Sequence, residues 1–120
     1  AKYYGADILL SDAVAQSVRD HFTLRELDRV VVQGREKSES VWELLSTKDD
    51  PGYAEMIASY DAVLRTYREA NFSRAHAMIA QHRVAFPLDR AAATLQQIIA
   101  AAAKQPRPDV WDPVTRMEQK

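Results

Sequence analysis

The strongest constraint on this chain is a breaker run, Ser46-Thr47-Lys48-Asp49-Asp50-Pro51-Gly52, with different patterning on its two sides. Proline fixes φ and lacks an N–H, glycine turns freely, and aspartate bonds back to its own backbone, so such a run ends regular structure. Strand-forming residues dominate before it, while Ala and helix formers dominate after it. Strands then helices along one chain imply an α+β fold.

In the first region, Ala6-Asp7-Ile8-Leu9-Leu10 is a short apolar run closed by Ser11-Asp12. It reads as a strand entering a helix over 12–20, because the Ser11 hydroxyl can accept free N–H groups of the first turn. Val14 and Val18, four apart, are expected to face inward. Phe22 to Val32 reads as a long strand whose alternation changes phase. Phe22 and Leu24 share a face, Leu27 falls on the other, and Val30 and Val32 return to the first. A bulge near 26–29 reconciles them. Gly34 suits a turn within the polar run 33–39, and Val41-Trp42-Glu43-Leu44-Leu45 completes a β-hairpin over 22–45.

Beyond the breaker, Tyr53, Met56, Ile57, Tyr60, Val63, Leu64 and Tyr67 recur at helical spacing and make one apolar stripe. Asn71 suits the turn that follows. Ala75, Met78, Ile79, His82 and Phe86 mark a second helix, stopped by Pro87. Leu88, Ala91, Ala92, Leu95, Ile98, Ile99 and Ala102 mark a third, stopped by Pro106 and Pro108. Trp111 is expected to dock on the helices. Asp112 reads as an N-cap with Pro113 at the first helical position.

Sixteen basic and seventeen acidic residues leave a formal charge of −1, without the basic face that nucleic-acid binding requires. There is no cysteine, which excludes disulfides, thiolate metal sites and cysteine nucleophiles. No apolar run approaches the roughly 18 residues of a membrane span, and no segment resembles a signal peptide. The chain opens on Ala1 without Met, in sequence that reads as mid-domain, and is expected to be a fragment.

Tyr4-Gly5, Ile8-Leu9-Leu10-Ser11, Phe22, Arg25-Glu26-Leu27-Asp28-Arg29-Val30, Val32-Gln33-Gly34 and Val41-Trp42-Glu43-Leu44 follow one another in a telling order. The segment resembles the C-terminal part of a bacterial class III adenylate/guanylate cyclase catalytic domain. There a Tyr-Gly turn, a strand ending in Ser, a helix and a hairpin with a Val-Lys-Gly-like turn close the domain. Residues 47–120 resemble a tail found after some bacterial cyclase domains, a tetratricopeptide-like helical pair leading to a Pro-rich stretch and Trp-Asp-x-Val, here Trp111-Asp112-Pro113-Val114. Only one copy of the roughly 34-residue repeat is present, so it needs a third helix, the cyclase core or a partner to pack on.

The resemblance implies a piece of a ferredoxin-like cyclase domain over 1–46 and a three-helix, tetratricopeptide-like appendage over 47–120. The parent would convert ATP or GTP to the cyclic nucleotide and pyrophosphate with Mg²⁺ or Mn²⁺, as a homodimer in cyclic-nucleotide signalling. In the family the metal-binding, base-selecting and transition-state residues precede the Tyr-Gly turn, so this chain alone is expected to be inactive. One position has a family role, the turn Lys that reaches substrate phosphates. Gln33 stands there, and Arg35, two residues on, is a candidate to supply the charge or else a solvated turn residue.

His21, His76 and His82 lack metal-ligand spacing and read as surface or interface histidines. Asp49-Asp50 reads as a solvated turn, and Tyr53, Tyr60 and Tyr67 as packing rather than a ligand groove. No Ser-His-Asp set stands out. Two rival functions remain: a protein-interaction module on a cyclase-like scaffold, and part of a catalytically dead homologue. Expected partners are the upstream part of the domain, a second copy, and a protein at the helices, without nucleic acid or membrane contact. The expected location is cytoplasmic, with any anchor of the parent upstream. The first region's strand edges are expected to make the isolated chain self-associate by exchanging elements.

Overall fold

A computed structural model describes residues 3–32, 34, 37–105 and 111–117. Strand β1 (Leu9–Ser11) runs directly into helix α1 (Asp12–Val18). Ser11 makes this possible: its backbone is extended, and its Oγ accepts from the Val14 N–H at 3.3 Å. Strands β2 (Phe22–Val32) and β3 (Glu39–Thr47) form the hairpin, with Gly34 at φ 89° in the connection. The register slips between Glu26 and Asp28, where the bulge is expected, and also between Thr23 and Leu24. The bulge lets the adjacent residues Leu27 and Asp28 both be buried, which strict alternation forbids.

Asp50 caps a 3-10 turn over Pro51–Tyr53, accepting from the Gly52 N–H at 2.9 Å. Helices α2 (Ala54–Arg68), α3 (Phe72–Ala85) and α4 (Arg90–Lys104) follow, with α3 against both others and α2 against β2. Asn71 caps α3 by accepting from the Arg74 N–H. Strand β4 (Thr115–Met117) lies parallel to β2, and the sheet order is β1-β3-β2-β4. The class is α+β, as the sequence reads.

One core crosses the breaker: Tyr4, Ala6 and Leu27 cluster with Tyr60, Leu64, Ile79, Leu95 and Ile99 from the helices. Burying each of the large aliphatic side chains contributes about 1.5–3 kcal/mol. The Tyr4-Gly5 turn is fixed against the start of α4. Gly5 has φ 70°, and a Cβ there would stand 3.0 Å from Arg90 Cβ, so only glycine meets both demands.

Four sequence expectations change. Val14 is 46 % exposed, and Ala15 is the buried residue of α1. The Ser11 cap and the bond from Trp42 Nε1 to Asp12 at 2.9 Å set the helix rotation, bringing the small side chain to the sheet. The first strand is Leu9–Ser11 rather than 6–10, because Tyr4 and Ala6 are drawn into the helical core. Leu88 is 92 % exposed, because the chain turns over 86–89 and α4 starts only at Arg90. Asp112-Pro113 does not start a helix among the described residues; Trp111 docks on α2 and α3, and the chain turns tightly before β4, the Val114 N–H donating to the Asp112 carbonyl at 2.9 Å. No helix among the described residues is long and apolar enough to cross a membrane.

Candidate functional site

Arg25 on β2 and Glu43 on β3 face each other in the hairpin register, on the side covered by the helices. Across the breaker, the turn that places the Asp89 N–H on the Phe86 carbonyl at 3.0 Å aims the Asp89 side chain back at the sheet. Asp89 stands at the N-cap position of α4 but caps nothing with its side chain. Its carboxylate takes both ends of the Arg25 guanidinium instead, Nη1 at 2.7 Å and Nη2 at 2.9 Å. Arg25 Nη2 also bonds Glu43. His82 of α3 closes the set, Nε2 to Asp89 Oδ2 at 2.7 Å and Nδ1 to Ser59 Oγ at 2.7 Å. Because the carboxylate only accepts, Nε2 carries the hydrogen, and in the neutral ring Nδ1 accepts from the Ser59 hydroxyl.

All four ionisable members are buried. Burial opposes the Asp89 carboxylate, but the bonds from His82 and Arg25 outweigh it and hold the carboxyl down to about 2. Burial opposes the charge of the Arg25 guanidinium, but the Asp89 and Glu43 carboxylates keep it above its ordinary value. Arg25 also lies over the Tyr60 ring, 4.6 Å from its centroid, a cation–π contact of roughly 1–2 kcal/mol when desolvated. Tyr60 is pushed above the ordinary phenol range, first by burial, and its OH donates to the Leu27 carbonyl at 2.8 Å.

Ser59, His82 and Asp89 have the residue types of a hydrolase triad and lack its working geometry. A nucleophilic serine needs N–H donors aimed at the developing oxyanion. Ser59 sits inside α2, whose backbone N–H groups are spent on the helix, and the carboxylate is clamped by Arg25. The set is a structural lock between sheet and helices. Sequence reading missed it because Arg25 and Asp89 are 64 positions apart. The one available signal was His82 falling on an otherwise apolar helical stripe.

A groove of about 460 Å³ opens beside the lock, lined among others by Leu45, Tyr53, Met56, Phe86 and Arg90. Tyr53 thus lines a groove, whereas Tyr60 and Tyr67 are core.

A second buried cluster lies further along β2. Asp28, 1 % exposed, accepts from Tyr4 OH at 2.9 Å, from the Arg29 N–H at 2.7 Å and from Thr115 Oγ1. Burial raises its carboxyl above the ordinary value against those bonds. Beside it Glu26 takes both ends of Arg68 at 3.1 Å and the Ser40 hydroxyl at 2.6 Å.

Gln33 and Arg35 lie outside the described residues, while Gly34 between them holds the positive φ a turn requires. His21 and His76 are exposed on the surface. Among the described residues no three His, Asp or Glu side chains converge on a metal position. Compared with protein-family models, with curated proteins and with solved structures, the chain matches none.

Proposed function

We propose that residues 1–46 close the catalytic domain of a class III nucleotide cyclase, and that residues 47–120 brace that closing element. The observation that carries this reading is that the resembling residues have structural tasks. Tyr4 bonds Asp28, Gly5 turns against α4, Ser11 caps α1, Gly34 turns the hairpin, and Arg25 pairs with Glu43. Such an order of residues is what a closing element needs, because each one fixes an edge, a turn or a cap rather than a reacting atom.

In this reading the parent forms cyclic AMP or cyclic GMP and pyrophosphate between two catalytic domains. The metal-binding and base-selecting groups lie on the preceding sequence, and the chain's own contribution is positional. The Arg25–Asp89 clamp holds the hairpin in one place relative to the helices. Cyclic-nucleotide formation from ATP with Mn²⁺ tests this, using the chain alone and the chain mixed with the upstream part of the domain. The expected result is product only in the mixture. Product from the chain alone contradicts the assignment of all catalysis to other residues.

One observation favours a second role, a protein-interaction surface on the helices. Val84 and Leu88 are 84 % and 92 % exposed on and just after α3, and Leu88 lines the groove beside the lock. Binding of a partner that survives loss of the hairpin's resemblance residues would support that role over the first.

A further inference from the structure

The segment from Trp111 to Met117 is held like a peptide ligand. Trp111 inserts between Tyr67 and Phe72, with edge-on rings at 5.4 and 5.0 Å, and its Nε1 donates to the Arg68 carbonyl at 2.9 Å. That carbonyl belongs to the last residue of α2, one of the groups a helix end leaves without an intrahelical partner. Thr115 to Met117 then pairs in parallel with Val30 to Val32, adding a strand to the outer edge of β2. Thr115 Oγ1 bonds the buried Asp28, whose other hydroxyl donor is Tyr4. An aromatic anchor, a main-chain ladder and a side-chain bond at a fixed offset are the three components of strand-addition recognition.

Two features make the seat displaceable. The added strand is three residues long, and a gap of about 440 Å³ runs along the segment, lined by Tyr3, Ile98, Ala102, Trp111 and Val114 among others. Local opening concentrates in such thinly packed elements. Once the segment leaves, β2 has an unpaired edge from Val30 to Val32, and an exposed edge invites another strand.

We propose that the β2 edge and the Tyr67–Phe72 pocket form a peptide-binding site that this chain fills with its own residues 111–117. Its occupant in trans is the same segment of a second copy. That occupant follows from the fit itself, since the Trp-x-x-x-Thr spacing that reaches both the pocket and Asp28 occurs in this sequence only at Trp111 and Thr115. A tethered segment has an effective concentration near millimolar, so the chain occupies its own site at micromolar concentrations. Reciprocal exchange takes over where two copies are held together. This inference stands on the geometry and does not depend on the cyclase reading.

The test uses the full chain and a labelled synthetic peptide of residues 110–120, read by fluorescence anisotropy. In chains carrying Thr115→Val or Trp111→Ala, checked for folding by circular dichroism, the internal segment is weakened. These variants are expected to capture the peptide at least about tenfold more tightly than the unaltered chain, which competes with its own segment. A peptide with Trp111→Ala is expected not to bind. A folded variant that fails to bind the peptide, or equal binding by variant and unaltered chains, overturns the proposal. Hydrogen exchange on the unaltered chain supplies a readout free of substitutions. Amides of 115–117 are expected to exchange well before those of the β2–β3 ladder, and equal protection overturns displaceability.

Discussion

The helical region buries mostly apolar groups: Tyr60, Val63, Leu64, Ile79, Leu95 and Ile99 are each at most 1 % exposed, with His82, Asp89 and Thr94 as buried polar residues among them. Among the described residues, the strand region's face turned to those helices buries Arg25, Asp28 and Glu43 beside Leu27. The helices tolerate burial because their groups lose little by leaving water. The strands tolerate it because partners from both regions meet there: Glu43 and Tyr4 from the strand region itself, and Asp89 for Arg25, Arg68 for Glu26 and Thr115 for Asp28 from the other. Buried charge is costly unless paired, so the strand face is specified by its partner to a degree the helices are not.

The sharpest way to break this comparison is Arg25→Ala, which strands the Asp89 and Glu43 carboxylates in the interior. A loss of about 3–5 kcal/mol in urea unfolding is expected, because both anions then lack their cation. Leu64→Ala probes the apolar side of the comparison. Its cost should fall near 3 kcal/mol by the same measurement, a cavity effect without a charge left behind.

Acid titration separates the two modes further. Asp89 has a folded value of about 2, below the ordinary 3.8, so its contribution is present above the ordinary value and is lost as pH falls from about 4 toward about 2. The contribution is about 2 kcal/mol, and Asp89→Asn should flatten that part of the stability–pH curve. Asp28 has the opposite sign. Its raised carboxyl favours the fold while protonated and gives up that gain as pH rises through its folded value. The smallest effect belongs to Leu88→Ser, within about 0.5 kcal/mol, because the side chain is already in water. A large loss there would mean that Leu88 packs as the helical stripe implied.

What sequence could show followed from periodicity and local chemistry. The α2 stripe, the hairpin with its bulge, the Ser11 cap and the docking of Trp111 are all local or periodic signals, and each is present. Leu88 misled because its spacing fits the α4 stripe although the helix has not yet begun. Asp112-Pro113 misled because a cap followed by proline is a local signal, and here Trp111 fixes the tail along β2 instead. Strand β4 has three residues, too few for any period to register. The Arg25–Asp89–His82 lock was illegible for a further reason: a charged residue on a strand reads as solvent-facing until the chain that covers it is known.

The central claim is that this lock makes strands and helices unfold as one unit across the breaker. The two tryptophans allow a direct test, since Trp42 lies on β3 and Trp111 on the helices. In a chain carrying Trp111→Phe, urea unfolding is followed by Trp42 fluorescence for the sheet and by far-ultraviolet circular dichroism for the helices. Coincident midpoints are predicted. Loss of the Trp42 signal at clearly lower urea than the helical signal would contradict the account, because the strands would then be separable from the helices that neutralise them.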